Sequence, residues 1–496
     1  MSIRKNAIAN YIGQIYLAIL GIVIVPFYVE RLGAEGYGLV GFFALLQGWM
    51  QLLDMGISTM LAREASRSRF DLVEAFRFKR LQQLILILFA LIACIVAVLS
   101  FGAREWLATS WLKTTLPKET VIFALSCIVI SVCIRWQSGP LRSTLMGLER
   151  QVQLNVVNMV LATFRFPGSV VVLILTQDSI DAFFQYQIVI SCVEFFLLWI
   201  IVKKYIPSKE AIPLPDWEFL SSIKPTLKFS LGIAFTSAVW VLITQLDKLL
   251  LSSLLPLKEY GYFTMAVTAA GGISLLSGPL SQAVSPRLAA LHAQNNKSEI
   301  VSVYRSASRV MAMIIAPVSI LTGTFSREIV YIWTGSWVIS DNVAPIMHWY
   351  AWGNGALALT GLSYYLQCAY GNIRLHIIGN VIFALTIIPA IYFATKHFGA
   401  VGAAKVWCTS NFLFMIIWTG IVHKKFIPKQ HLKWILNDVT PFLTMPVALY
   451  YIYFSYDLPL HLEAYSRFQS LMLISLFGLI FLMINGAIYR FFKYRY

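Results

Sequence analysis

Apolar stretches long enough to cross a bilayer follow one another along this chain, separated by short polar interruptions. A hydrocarbon core of about 30 Å needs roughly 20 apolar residues in a helix. The pattern predicts about fourteen transmembrane helices, over 8–30, 37–62, 82–102, 120–140, 152–176, 180–202, 226–253, 261–284, 311–333, 346–368, 377–395, 400–422, 439–456 and 468–488. The longer polar loops are 63–81, 203–225, 285–310 and 423–438. We therefore expect an all-α integral membrane protein with no soluble domain. Of its residues 58% are hydrophobic and 12% charged, which suits a bilayer and little else.

The formal charge of +16 would suit nucleic acid only if Lys and Arg gathered on one wet face. They lie between the spans instead, so no nucleic-acid partner is expected. With Arg4 and Lys5 placed in the cytoplasm, alternate loops on that side collect 26 of the 39 basic residues. The opposite side collects seven: Arg31, Arg104, Lys113, Lys118, Lys258, Lys396 and Arg467. By the positive-inside rule this puts both termini in the cytoplasm. The first span is too long for a signal-peptide core and is read as a retained helix. The six cysteines fall inside apolar spans without CxxC spacing, so neither disulfides nor metal ligation is expected.

An internal repeat runs at an offset of 223–224 residues. The turn Leu32-Gly33-Ala34-Glu35-Gly36-Tyr37-Gly38 is answered by Leu255-Pro256-Leu257-Lys258-Glu259-Tyr260-Gly261. Ser58 and Arg63 are answered by Ser281 and Arg287, and Gly147 and Arg150 by Gly371 and Arg374. The offset covers an even number of spans, so the repeat is parallel and suits alternating access. The expected organisation is a six-helix lobe over 1–202, a cytoplasmic linker over 203–225, a second six-helix lobe over 226–422, and two further helices with a cytoplasmic tail over 423–496.

Several segments carry a family resemblance: Arg31–Gly38, Gly147-Leu148-Glu149-Arg150, Thr244-Gln245-Leu246-Asp247-Lys248, Tyr260-Gly261-Tyr262, Gln282–Arg287 and His397-Phe398-Gly399-Ala400-Val401-Gly402. In order and spacing the chain resembles the polysaccharide transporter family. These are the Wzx-type O-antigen flippases of the MOP superfamily, which also holds multidrug extruders of the MATE type. The resemblance implies twelve core helices in two lobes plus two more. It also implies transport of a lipid-linked oligosaccharide on a polyprenyl (undecaprenyl) diphosphate carrier across a bacterial inner membrane, with membrane lipids and glycan polymerases or ligases as partners.

Polar residues inside the spans recur at helical spacing. Span two carries Gln47, Gln51, Asp54 and Ser58 on one face; span four carries Ser131, Arg135, Ser138 and Arg142. Span five has Gln151, Asn155, Asn158 and Arg165, span six Gln187, Ser191 and Glu194, and span one Asn10 and Gln14. A lone Asn, Gln or Ser reads best as interhelical glue, contributing about 1 kcal/mol or less. A mid-span Arg is different, since it costs about 2.5–3.5 kcal/mol even on the lenient insertion scale. A diphosphate needs forked cationic donors. The substrate candidates are therefore Arg165, Arg135, Arg142, Asn155, Asn158, Gln47, Gln51, Asn10 and Gln14. Arg165 is expected in a wet cavity between the lobes; its rival role is as the partner of Glu194.

Asp54, Glu194, Asp247 and Lys248 are the candidates for coupling to protons or sodium. The competing reading pairs Asp54 with Arg135 and Asp247 with Lys248 or another helix, while Arg135 and Arg142 could also snorkel to the interface.

Other functions fit less well. A MATE-type small-molecule or ion antiporter would concentrate acids in one lobe. A membrane polymerase or ligase would need a substantial external loop, and no P-loop, metal cluster or nucleophile–base arrangement is present. Neither enzyme activity nor a cofactor is expected. A flippase for the peptidoglycan precursor is the nearest alternative.

Overall fold

The computed structural model describes residues 3–54, 56–69, 72–206, 241–242, 244–444, 447–448 and 467–495. The expected linker beyond Ile206, the first half of the expected span 226–253 with Lys228, and most of the span 439–456 lie outside these residues. Among the described residues there is no β-strand, and nine helical stretches are long and apolar enough to cross a membrane. The protein is an all-α, multi-pass integral membrane protein.

The first unit, Met1–Gly261, opens with α1 (Ile3–Val23), α2 (Val25–Leu53), α3 (Ile57–Arg67) and α4 (Leu72–Trp106). It continues with α5 (Lys118–Gly147), α6 (Gln151–Leu175) and α7 (Ile180–Lys203). α2 is two helices joined at Gly33, whose φ of 70° only glycine adopts without strain. The first expected span is thus α1 together with the start of α2. The second runs on through a break at Gly56, φ 69°, into α3. Ser179 caps α7 by accepting from the Ala182 N–H at 3.3 Å, which satisfies one of the free donors of a helix start.

α6 and α7 each divide into a lipid face and a protein face. Val189, Val193, Phe196 and Ile200 of α7 are exposed at spacings of four, three and four. Gln187, Ser191 and Glu194 on the same helix are buried. On α6, Val156, Val160 and Phe164 are exposed while Leu154, Leu161, Arg165 and Ser169 are buried. The polar stripes of the sequence are therefore the inward faces, because hydrocarbon offers polar groups no partner.

The second unit, Tyr262–Tyr496, contains the helices Ser277–Ala293, Lys297–Thr324, Ser326–Thr334, Trp337–Ala369, Arg374–Leu413, Thr419–Phe426 and Arg467–Arg495. Helix Leu257–Leu275 begins in the first unit and ends in the second. Arg374–Leu413 is again two helices, joined at Gly399 with φ 59°, inside the expected turn between spans. Residues 285–310, expected as a loop, are mostly helix. The only break is at 294–296, where Asn296 Oδ1 caps the next helix through the Glu299 N–H at 3.2 Å. Helices here outlast their apolar stretch, since polar residues such as Lys, Glu, Arg and Gln are good helix formers once the chain leaves the bilayer. Cysteines 127, 133 and 408 are buried, but Cys94 is exposed.

Gly147 and Gly371, matched in the sequence, do different work. Glu149 and Gly371 are the left-handed residues of two equivalent helix ends, with φ of 57° and 64°. In each, an N–H reaches back five residues, from Arg150 to the Leu145 carbonyl at 2.9 Å and from Asn372 to the Gln367 carbonyl at 3.1 Å. This is the Schellman closure. Gly147 instead permits close approach: a Cβ there would lie 2.1 Å from the Ala62 carbonyl oxygen of α3.

Candidate functional site

Three helices deliver four charges to one place in the first unit. α5 carries Arg135 and Arg142 seven residues apart and so on one face; α6 carries Arg165, and α7 carries Glu194. The Glu194 carboxylate, 2% exposed, takes Arg142 Nη2 on Oε1 at 2.5 Å and Arg165 Nη2 on Oε2 at 2.6 Å. Arg135 stands further back, its Nε 3.7 Å from Oε2. Arg142 also donates from Nη1 to Asn158 Oδ1.

These groups line a cavity of about 450 Å³, together with Leu17, Gln47, Met50, Gln51, Trp136, Gly139, Leu161 and Phe166 among others. Every lining residue belongs to the first unit. Three guanidinium groups against one carboxylate leave two positive charges uncompensated in the lining. Donors are also left over. Arg165 Nε and Trp136 Nε1 are buried and, among the described residues, have no hydrogen-bond partner. A site of this size, apolar in part and converging on a few charged groups, has the character of a small-ligand pocket. It is equipped for an oxyanion with several acceptor atoms.

Of the sequence candidates, Arg135, Arg142, Arg165, Asn158, Gln47 and Gln51 line this cavity, and so does Glu194. The Arg165–Glu194 pair weighed from the sequence is present. Asn155 and Asn10 are not in the lining; they bond to each other at 2.5 Å and, with Gln151, tie α1 to α6. Gln14 is exposed and lies outside the lining.

Asp54 does not meet Arg135. It accepts from Ser58 Oγ at 2.5 Å and from the Ser58 N–H at 3.4 Å, and so closes the start of α3 beyond the break at Gly56. Asp247, nearly fully buried, lies 3.5 Å from Lys248 Nζ.

Two features were not anticipated. Trp136 lines the cavity beside Arg135, and only its adjacency to that arginine could have signalled it. In the second unit, Asp438 is fully buried between Arg305 Nε at 2.6 Å and Arg309 Nε at 2.8 Å. The spacing of Arg305 and Arg309, four apart on a helix, is the signal the sequence offered.

A family model described as "Polysaccharide biosynthesis protein" matches residues 3–292. The chain belongs to that family. A curated relative from Shigella flexneri, described as "Putative O-antigen transporter", is 20% identical over 420 residues, covering 82% of this chain and 94% of its own length. The fold is that of a solved lipid II flippase MurJ in an inward-closed conformation. That likeness has a TM-score of 0.72 and 14% identity, covering 98% of this chain and 99% of the other. An inward-facing MATE-family multidrug resistance transporter of the MOP superfamily superposes with a TM-score of 0.60 at 14% identity, covering 82% of this chain and 96% of the other. These relatives are described as transporters and flippases.

Proposed function

We propose that the protein is a flippase moving an oligosaccharide linked to polyprenyl diphosphate across the bacterial inner membrane, both termini facing the cytoplasm. The observation that carries this reading is the cavity with three arginines around a single glutamate. A diphosphate brings negative charge and forked acceptors, and Arg135, Arg142 and Arg165 supply matching forks in a site that retains two spare positive charges. Gln47, Gln51 and Asn158 offer neutral hydrogen-bonding groups suited to the adjoining sugar. The lipid tail stays in the bilayer while the headgroup crosses inside. The charge asymmetry of the loops supports the orientation.

The O-antigen relative, alignable over most of both chains, favours a surface glycan unit over the peptidoglycan precursor. The MurJ likeness speaks to the fold alone. A small-molecule antiporter is disfavoured by the cationic lining. Deletion in the native host tests the assignment. Loss of a surface glycan with accumulation of its lipid-linked unit is the expected result. Intact surface glycan with arrested peptidoglycan synthesis would transfer the assignment to the other lipid-linked cargo.

A further inference from the structure

Glu194 occupies the place a substrate anion needs. Its two oxygens take the best-directed donors of the cavity, Arg142 Nη2 at 2.5 Å and Arg165 Nη2 at 2.6 Å. A carboxylate and the outer oxygens of a phosphate present similar acceptors to a guanidinium fork, so the two compete for the same N–H groups. We infer that Glu194 is a resident counter-anion which the diphosphate headgroup displaces, and that this exchange sets how firmly the cavity holds its cargo. The inference rests on the reading that the cavity receives a diphosphate.

The geometry gives the exchange a direction each way. A diphosphate offers more acceptor atoms than one carboxylate, and Arg135, which lines the cavity, stands back from Glu194 at 3.7 Å. Entry of the cargo can therefore engage a guanidinium that the resting carboxylate holds only loosely. Departure is favoured for a different reason. Glu194 lines the same cavity as the arginines and is fixed on α7, whose neighbouring inward residues Gln187 and Ser191 are buried. A displaced carboxylate therefore stays tethered beside the arginines, a permanent competitor ready to reclaim them. Glu194 also ties α7 to both α5 and α6, so its displacement loosens a three-helix joint at the moment the cargo binds.

The test measures binding of inorganic pyrophosphate to the purified full-length chain in nanodiscs by calorimetry. Glu194→Gln keeps the side chain's shape and one acceptor but removes the competing charge; its pyrophosphate affinity should rise about tenfold or more, the scale of a lost charge-assisted hydrogen bond. Export in the complemented deletion strain should slow, because release no longer has a competitor. The double variant Arg135→Gln with Glu194→Gln leaves the cavity with two positive charges, as in the native chain, and keeps the two well-directed forks. It should still bind tighter than wild type, which separates direct competition from net charge; it also carries the comparison if Glu194→Gln alone fails to fold. Affinity equal to or below wild type in both folded variants, while Arg165→Gln weakens binding, overturns the exchange and leaves the diphosphate reading standing. No pyrophosphate binding by wild type or any variant overturns both.

Discussion

Gly38 and Gly261 stand in reciprocal contact. A Cβ on Gly38 would lie 2.5 Å from the Leu257 carbonyl oxygen, and a Cβ on Gly261 would lie 2.1 Å from that of Ala34. Gly261 follows Gly38, and Leu257 follows Ala34, by the same 223 positions. Residue for residue, the two repeated turns touch each other in the manner of a two-fold interface.

Gly38→Ala and Gly261→Ala should each destabilise the protein by about 1–3 kcal/mol, because the clash is with backbone and no side chain can yield. The double variant should lose less than the two single losses together, since one separation relieves both clashes. Thermal unfolding in detergent reads this; two silent alanines would show that the contact is loose.

Arg165 and Glu194 are not symmetrical in their removal. Arg165→Ala leaves the carboxylate still held by Arg142, whereas Glu194→Ala strands three guanidinium groups. Glu194→Ala should therefore lower protein level and melting temperature more than Arg165→Ala, by a margin of about 1–3 kcal/mol. Export should be partly kept by Arg165→Lys and abolished by Arg165→Ala at normal protein level. Full export by Arg165→Ala would remove the cavity from the transport path.

In the turn around Gly33, burial would raise the Glu35 pKa, yet hydrogen bonds from the Thr114 and Thr115 hydroxyls and the Thr115 N–H hold it below the ordinary 4.5. A depressed carboxyl stabilises above its unfolded pKa and loses that contribution as pH falls through the folded value. Glu35→Gln should mimic the acid form at neutral pH. Faster hydrogen–deuterium exchange at the Thr115 amide is expected, with little change on α6.

Asp438→Ala should cost about 3–5 kcal/mol, the penalty for breaking a buried ion pair while leaving its partners in place. Pairing it with Arg305→Gln and Arg309→Gln should recover part of the loss. A melting temperature unchanged by Asp438→Ala would mean that water reaches the two arginines.

Reporter fusions at Lys113 and Asn437 should read external and cytoplasmic respectively. Identical locations would break the proposed topology.

The membrane fold was legible because hydrocarbon tolerates no unpaired backbone, and that constraint writes itself into every apolar span. The inward faces of α5, α6 and α7 were legible for the same reason: Arg135 and Arg142 recur at helical spacing with Ser131 and Ser138, Arg165 with Asn158, and Glu194 with Gln187 and Ser191. Helix ends were less so, as at 285–310, because hydropathy changes at the bilayer surface while backbone hydrogen bonding continues past it. Side-chain partnerships were the hardest to read. Nothing in the spacing distinguishes Asn158, which faces the cavity, from Asn155 one turn away, which bonds to Asn10. The choice depends on where α1 packs.

All the residues that line the charged cavity lie between Leu17 and Glu194, which has a consequence for how the protein is made. Arg135, Arg142 and Arg165 leave the ribosome first, and the acid that pairs with them follows 29 residues after the last. The nascent chain therefore carries an unmatched cationic hairpin until α7 enters the bilayer. From then on the three-helix joint around Glu194 can form with more than half of the polypeptide still to be translated.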